Sequence, residues 1–136
     1  MSVVVREFNS VNELLKFLDD EIANYRRVLG EMLKRLEELR VRAEQEKKLK
    51  SVLAKLGLSE TQTQNEVALR NIRIVVNPSA SQELAALEQA VESLNNRLTQ
   101  LMAIRKEVET LSNIDVEVKI TLVYVDNVPR IVLLRM

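Results

Sequence analysis

The chain has 136 residues, 46% of them apolar, and its 20 Lys and Arg balance 20 Asp and Glu to a net charge of zero. That length and apolar fraction suit a single domain over residues 1–136 with its own core, and the absence of a basic excess argues against a dedicated nucleic-acid binder. With no Cys and no His, disulfides and thiolate chemistry are excluded, and the commonest general base and transition-metal ligand are missing.

Residues 2–8 are short and β-branched and predict a strand. Ser10 and Glu13 then have the spacing of a capping box, which satisfies orphan amides at a helix start. From there Val11, Leu15, Leu18, Ile22, Tyr25, Leu29, Met32, Leu36, Leu39 and Ala43 alternate in steps of four and three, the seam of a coiled-coil helix. The next positions in step are Glu46 and Lys50, so the seam stops at Ala43 and resumes out of phase with Leu49, Leu53 and Leu56. Gly57 followed by Leu58 predicts a Schellman stop. The first helix is therefore expected over 11–56.

Residues 58–79 form a connecting or tip segment. Ser59 and Gln62 could cap a short helix, whereas 69–76 alternates and ends in Ile-Val-Val, which predicts a strand. Asn77-Pro78 closes it. Ser79 and Gln82 make a second capping box opening a helix over 80–112, with Asn113 as a left-handed end. Its seam is Leu84, Leu87, Val91, Leu94, Leu98 and Leu101, then Ile104, Val108 and Leu111 after a slip of one residue. Over 115–136 a β-hairpin is expected. Val116, Val118, Ile120, Leu122 and Tyr124 share one face of its first strand, and a turn at Asp126-Asn127 leads to a second strand from about Arg130, with Pro129 tolerable at an edge.

These elements predict a mainly α protein with a small β element (α+β): a long antiparallel helical hairpin of coiled-coil type, with a short antiparallel sheet formed by the chain ends. The layout resembles that of prefoldin-type chaperone subunits in architecture alone. Their strands lie between the helices, whereas the clearest strands here lie at the chain ends, and no residue motif carries over. The competing architecture is a dimer in which the first helix pairs with its counterpart.

Beside the two seams run Leu14, Val28 and Leu33 on the first helix and Ala86, Ala90 and Met102 on the second. Such a stripe is wider than one partner helix covers. Self-association, most simply as a dimer, is the expected cover, and Leu14, Val28, Leu33, Leu36, Leu49, Leu53, Leu94 and Leu101 are the candidate interface residues. Lys47, Lys48, Lys50 and Lys55, with Arg70 and Arg73, are the candidates for nucleic-acid contact; the competing reading is a solvated helix end that complements the macrodipole. Arg6, Lys119, Arg130 and Arg135 around the sheet are a further candidate nucleic-acid-binding face; the competing reading for them, as for Arg70 and Arg73, is edge protection and solubility.

Nothing points to catalysis. Asp19, Asp20 and Glu21 are consecutive and point apart on a helix, as do Glu107 and Glu109. Glu88 and Glu92 share a face, without a His to join them. Gly30, mid-helix, either permits a close approach or a bend or is simply tolerated. No enzyme activity, cofactor or metal is expected. The longest apolar run, Ile131 to Leu134, is too short for a membrane span, so a soluble cytoplasmic protein with no membrane partner is expected. The abundance of Glu, Lys, Arg, Ile, Val and Leu, with no Cys, His or Trp, is of the kind thermophiles favour. The expected function is that of a non-enzymatic coiled-coil scaffold, adaptor or assembly subunit; the alternatives are a nucleic-acid-associated factor and, from the resemblance, a prefoldin-like holdase.

Overall fold

In the computed structural model, which describes residues 4–58, 65–114 and 116–136, the chain is mostly helical, with two long helices and a small antiparallel sheet of chain-end strands. It divides into two compact units. One comprises residues 1–29 and 93–136, the other residues 30–92. The helix α1 (Val11–Lys55) contributes to both, as does α2 (Ala80–Val108).

The capping signals are realised in detail. The Glu13 N–H donates to Ser10 Oγ at 3.2 Å, and the Glu13 carboxylate reaches back to the Asn9 N–H at 2.9 Å, one residue earlier than in the standard box. At α2 the exchange is reciprocal: the Gln82 N–H donates to Ser79 Oγ (3.1 Å) and the Ser79 N–H to Gln82 Oε1 (3.0 Å). α1 ends in the Schellman geometry. Gly57 adopts φ 79°, a conformation costly for any residue with a Cβ. The Leu58 N–H then bonds the Leu53 carbonyl (2.9 Å) and the Gly57 N–H that of Ala54 (3.1 Å).

α2 closes differently from the expectation. It stops at Val108 and tightens into a 3-10 turn over Glu109–Asn113, and Asn113 is not left-handed. The hydroxyls of Thr110 and Ser112 donate to the carbonyls of Glu107 (2.8 Å) and Glu109 (2.7 Å), three residues back. Such bonds compete with the α-helical ladder. Gly30 makes no close approach, since a Cβ built there would meet nothing within 4 Å.

In the first unit, β1 (Val5–Phe8), β4 (Lys119–Val125) and β5 (Val128–Arg135) form an antiparallel sheet in the order β1-β4-β5. The turn between β4 and β5 consists of Asp126 and Asn127, both at positive φ (53° and 66°), the tight hairpin turn that suits strand twist. Pro129 sits on an edge strand as expected. Arg130 is an extra residue, because Val123 pairs with Ile131 while Tyr124 pairs with Pro129. Val118, Ile120 and Leu122 face inward and share one core with Leu14, Leu18 and Ile22 of α1 and Leu98, Leu101 and Val108 of α2. Val116, expected on that face, precedes the strand and is exposed. Thr121 points the other way yet is buried, because the central strand has a neighbour on each side: Glu7 on one, Leu133 on the other.

In the second unit, Leu36, Leu39, Ala43 and Ala80 are buried. The single strand expected over 69–76 is two strands, β2 (Glu66–Ala68) and β3 (Arg73–Val75), paired antiparallel with Val67 opposite Ile74. The Leu69 N–H to Ile72 carbonyl bond (2.8 Å) folds the alternating segment back on itself at Arg70-Asn71. The cap expected at Ser59 and Gln62 lies outside the described residues.

Candidate interaction surfaces

The β2-β3 hairpin has one face that is apolar throughout. Cross-strand partners share a face, so Val67, Leu69, Ile72, Ile74 and Val76 lie together, and each is between 46% and 65% exposed. Glu66 and Arg73 lie on the opposite face and form an ion pair at 2.8 Å. A two-stranded sheet of three-residue strands is marginal by itself, and here its root is anchored by side-chain amides. Asn65 and Gln82 exchange two hydrogen bonds (2.8 and 2.9 Å), and the Val76 N–H donates to the Asn65 carbonyl at 2.7 Å. Asn77 beyond it takes φ 48°, turning the chain into Pro78 and α2.

The same root holds the answer to why the seam of α1 stops. Glu46 occupies a seam position, and its carboxylate accepts the Ala80 N–H at 3.0 and 3.2 Å. A carboxylate placed on the free amides and positive dipole end of α2 is stabilising there, where a leucine would leave an amide unpaired.

Of the eight candidate interface residues, Leu14, Leu36 and Leu101 are covered by the chain itself. Leu14, flanking the seam, is included because the sheet packs on the same core and widens the covered face of α1. Val28, Leu53 and Leu94 are half-buried, while Leu33 and Leu49 remain exposed. Val52, Leu56 and Leu58 add to the exposed apolar residues near the end of α1. Lys47, Lys48, Lys50, Lys55 and Arg70 are exposed; the guanidinium of Arg73 is engaged by Glu66. With 3.6 residues per turn, the four lysines fall on one side of the last turns of α1, and Leu49, Val52 and Leu53 fall on the other.

The acidic run on α1 splits as its helical geometry requires. Asp19 takes Arg105 in a two-pronged bond (2.8 and 3.3 Å), and Arg105 also reaches Glu109 at 3.1 Å. Glu21 turns to the sheet, where the Tyr124 hydroxyl approaches its carboxylate at 3.5 Å. Burial raises the Glu21 pKa, opposed in part by the charge of Arg6 and by the Tyr124 bond. Arg6 also lies over the Phe17 ring, 4.7 Å from its centre, and Phe8 packs against Phe17 at 5.2 Å. This junction went unread in the sequence because its members come from three distant segments; the one signal was the tyrosine ending the apolar face of β4.

Burial, and then the Glu21 charge, push the Tyr124 phenol up to about 12. The folded state holds that proton between pH 10 and about 12 while an unfolded chain releases it, so stability falls as pH rises through that window. In an alkaline titration at 295 nm, an ionisation at about 12 should be seen, and Tyr124→Phe should remove it. Its absence from the wild-type protein would show the junction to be open to water.

Among the described residues no group of three or more acidic side chains could hold a metal ion, and no helix is long and apolar enough to cross a membrane. A cavity of about 280 Å³ opens between the end of α2 and the inner face of β4 and β5, lined by Ile104, Val108, Leu111, Leu122, Pro129 and Val132 with Glu107, Thr110 and Arg130. No protein-family model, no curated protein and no solved structure matches this chain.

Proposed function

We propose that this protein is a non-enzymatic interaction module, a homo-oligomeric scaffold or adaptor that binds a protein partner through the β2-β3 hairpin. The observation that carries this reading is the hairpin's five-residue apolar face, exposed at every position. An apolar patch of that kind on a small chain marks a binding surface. The fixed root at Asn65, Gln82 and Glu46 presents it without the entropy cost of ordering a loose loop on binding.

The scaffold beneath it is an antiparallel helical hairpin of coiled-coil type. Two facts support this. The first turns of α1 share a core with the last turns of α2, and Glu46, late in α1, caps the first residue of α2. Cysteines at Asn12 and Ser112, the only thiols in such a variant, should be joined within one chain by a short reagent. Mixing the two single-cysteine versions separates that product from a cross-chain one, and cross-chain product alone would favour a swapped dimer.

For the binding role, Val67→Ser combined with Ile74→Ser should shift stability by no more than about 1 kcal/mol, since both sites are half exposed. The same change should release the protein that co-purifies with the wild-type chain from its native source. A partner retained by the variant, or no partner at all, overturns the reading. The hairpin lies between the two helices in chain order, the arrangement of the prefoldin-type subunits. That supports a second reading as a holdase, which suppression of aggregation of a denatured client would reveal.

A further inference from the structure

The far edge of β5 has no partner strand among the described residues, and its composition is unusual for an edge. Free edges are commonly protected by charge, proline or a bulge. β5 has all three at its start, with Pro129 and the extra residue Arg130. Beyond them Ile131, Val132, Leu133 and Leu134 run without a charge or a proline to Arg135, in regular register with β4. Ile131 and Leu133 are exposed on the outer face of the sheet, and Leu134 on the inner face.

We infer that this edge pairs antiparallel with β5 of a second copy, extending the sheet to six strands about a two-fold axis at Leu133. The proposal rests on the self-association just proposed and names the surface responsible. Three features favour a second copy over another occupant. First, the regular stretch Ile131–Arg135 is centred on Leu133, and an axis there sets Ile131 against Arg135 of the other copy and Arg130 against its Met136, so no two like charges meet. Second, inner-face residues alternate, so the second copy's Leu134 comes beside Val132 and its Met136 beside Arg130. Val132 and Arg130 line the cavity under β5, so the second copy brings two apolar side chains to its mouth. Met136 is otherwise wholly exposed. Third, the cavity, at about 280 Å³, falls just below the range of roughly 300–1,000 Å³ typical of small-molecule sites and suits side chains. Each copy supplies both the protruding residues and the cavity, as an isologous interface requires.

The absence of cysteine permits a clean test. Single cysteines at Ile131, Val132, Leu133 and Leu134, mildly oxidised, should give most disulfide-linked dimer at Leu133, because only a residue on the axis meets its own copy. Leu133→Lys, which sets two like charges opposite each other, should bring the mass by light scattering from twice 15.6 kDa to 15.6 kDa, with the helical signal unchanged. Ile72→Lys on the other unit should leave the mass at twice 15.6 kDa. If Leu133→Lys stays dimeric, or no β5 cysteine cross-links while Ile72→Cys does, the edge pairing is overturned and self-association stands by another surface. A wild-type mass of 15.6 kDa at all micromolar concentrations overturns both.

Discussion

Leu36→Asp should unfold the chain or strip it of most of its cooperative transition. Leu36 is 2% exposed, and the substitution leaves a carboxylate among apolar side chains with no partner designed for it. An unpaired buried charge costs several kcal/mol, against a total stability on the order of 5–15 kcal/mol for a protein of this size. Ellipticity at 222 nm should fall, and any remaining melting transition should be broad and early. Glu37→Ala and Glu38→Ala, on the exposed side of the same turn, should stay within about 0.5 kcal/mol of the parent. Similar melting curves for the leucine and glutamate variants would contradict the assignment of the buried face of α1.

Ile120→Ala should cost about 2–5 kcal/mol, the range for truncating a fully buried aliphatic side chain whose cavity cannot collapse. Ile120 is 1% exposed, at the centre of the three-stranded sheet between Phe8 and Leu134, and it shares the core that unites both helices with the sheet. A loss of that size lowers the melting temperature by roughly 10–20 °C for a chain of this length. Val5→Ala, on the outer face of the same sheet and half exposed, should cost under about 1 kcal/mol. Equal losses at the two positions would contradict the assignment of the sheet's inner and outer faces.

Much of this arrangement is legible residue by residue. The Ser10 and Ser79 capping boxes, the Gly57 stop, the Asp126-Asn127 turn and the inward alternation of Val118, Ile120 and Leu122 all depend on interactions within a few residues of chain. Local backbone chemistry decides such features, and local sequence therefore reports them. The segment 69–76 is not one strand because its alternation changes phase at Arg70-Asn71. Leu69 and Ile72 are three residues apart, which a single strand would set on opposite faces, and the reversal between them returns both to one face.

What the sequence determined by itself is the set of amphipathic faces. Ten seam positions on α1, eight on α2 and Leu111 in the turn after it are all at least partly covered, because a period of alternating three and four fixes which side of a helix can be buried whatever covers it. What only the tertiary structure decided is what lies against each face and what is left bare. Leu14 is sealed because a sheet from the chain ends packs over it. Glu46 interrupts the seam because the amide of Ala80, 34 residues away, needs an acceptor there. Val67, Leu69, Ile72, Ile74 and Val76 share one bare face because two short strands meet in antiparallel register. Burial and hydrogen-bond pairing are properties of neighbours brought together by the fold, and one-dimensional periodicity does not contain them.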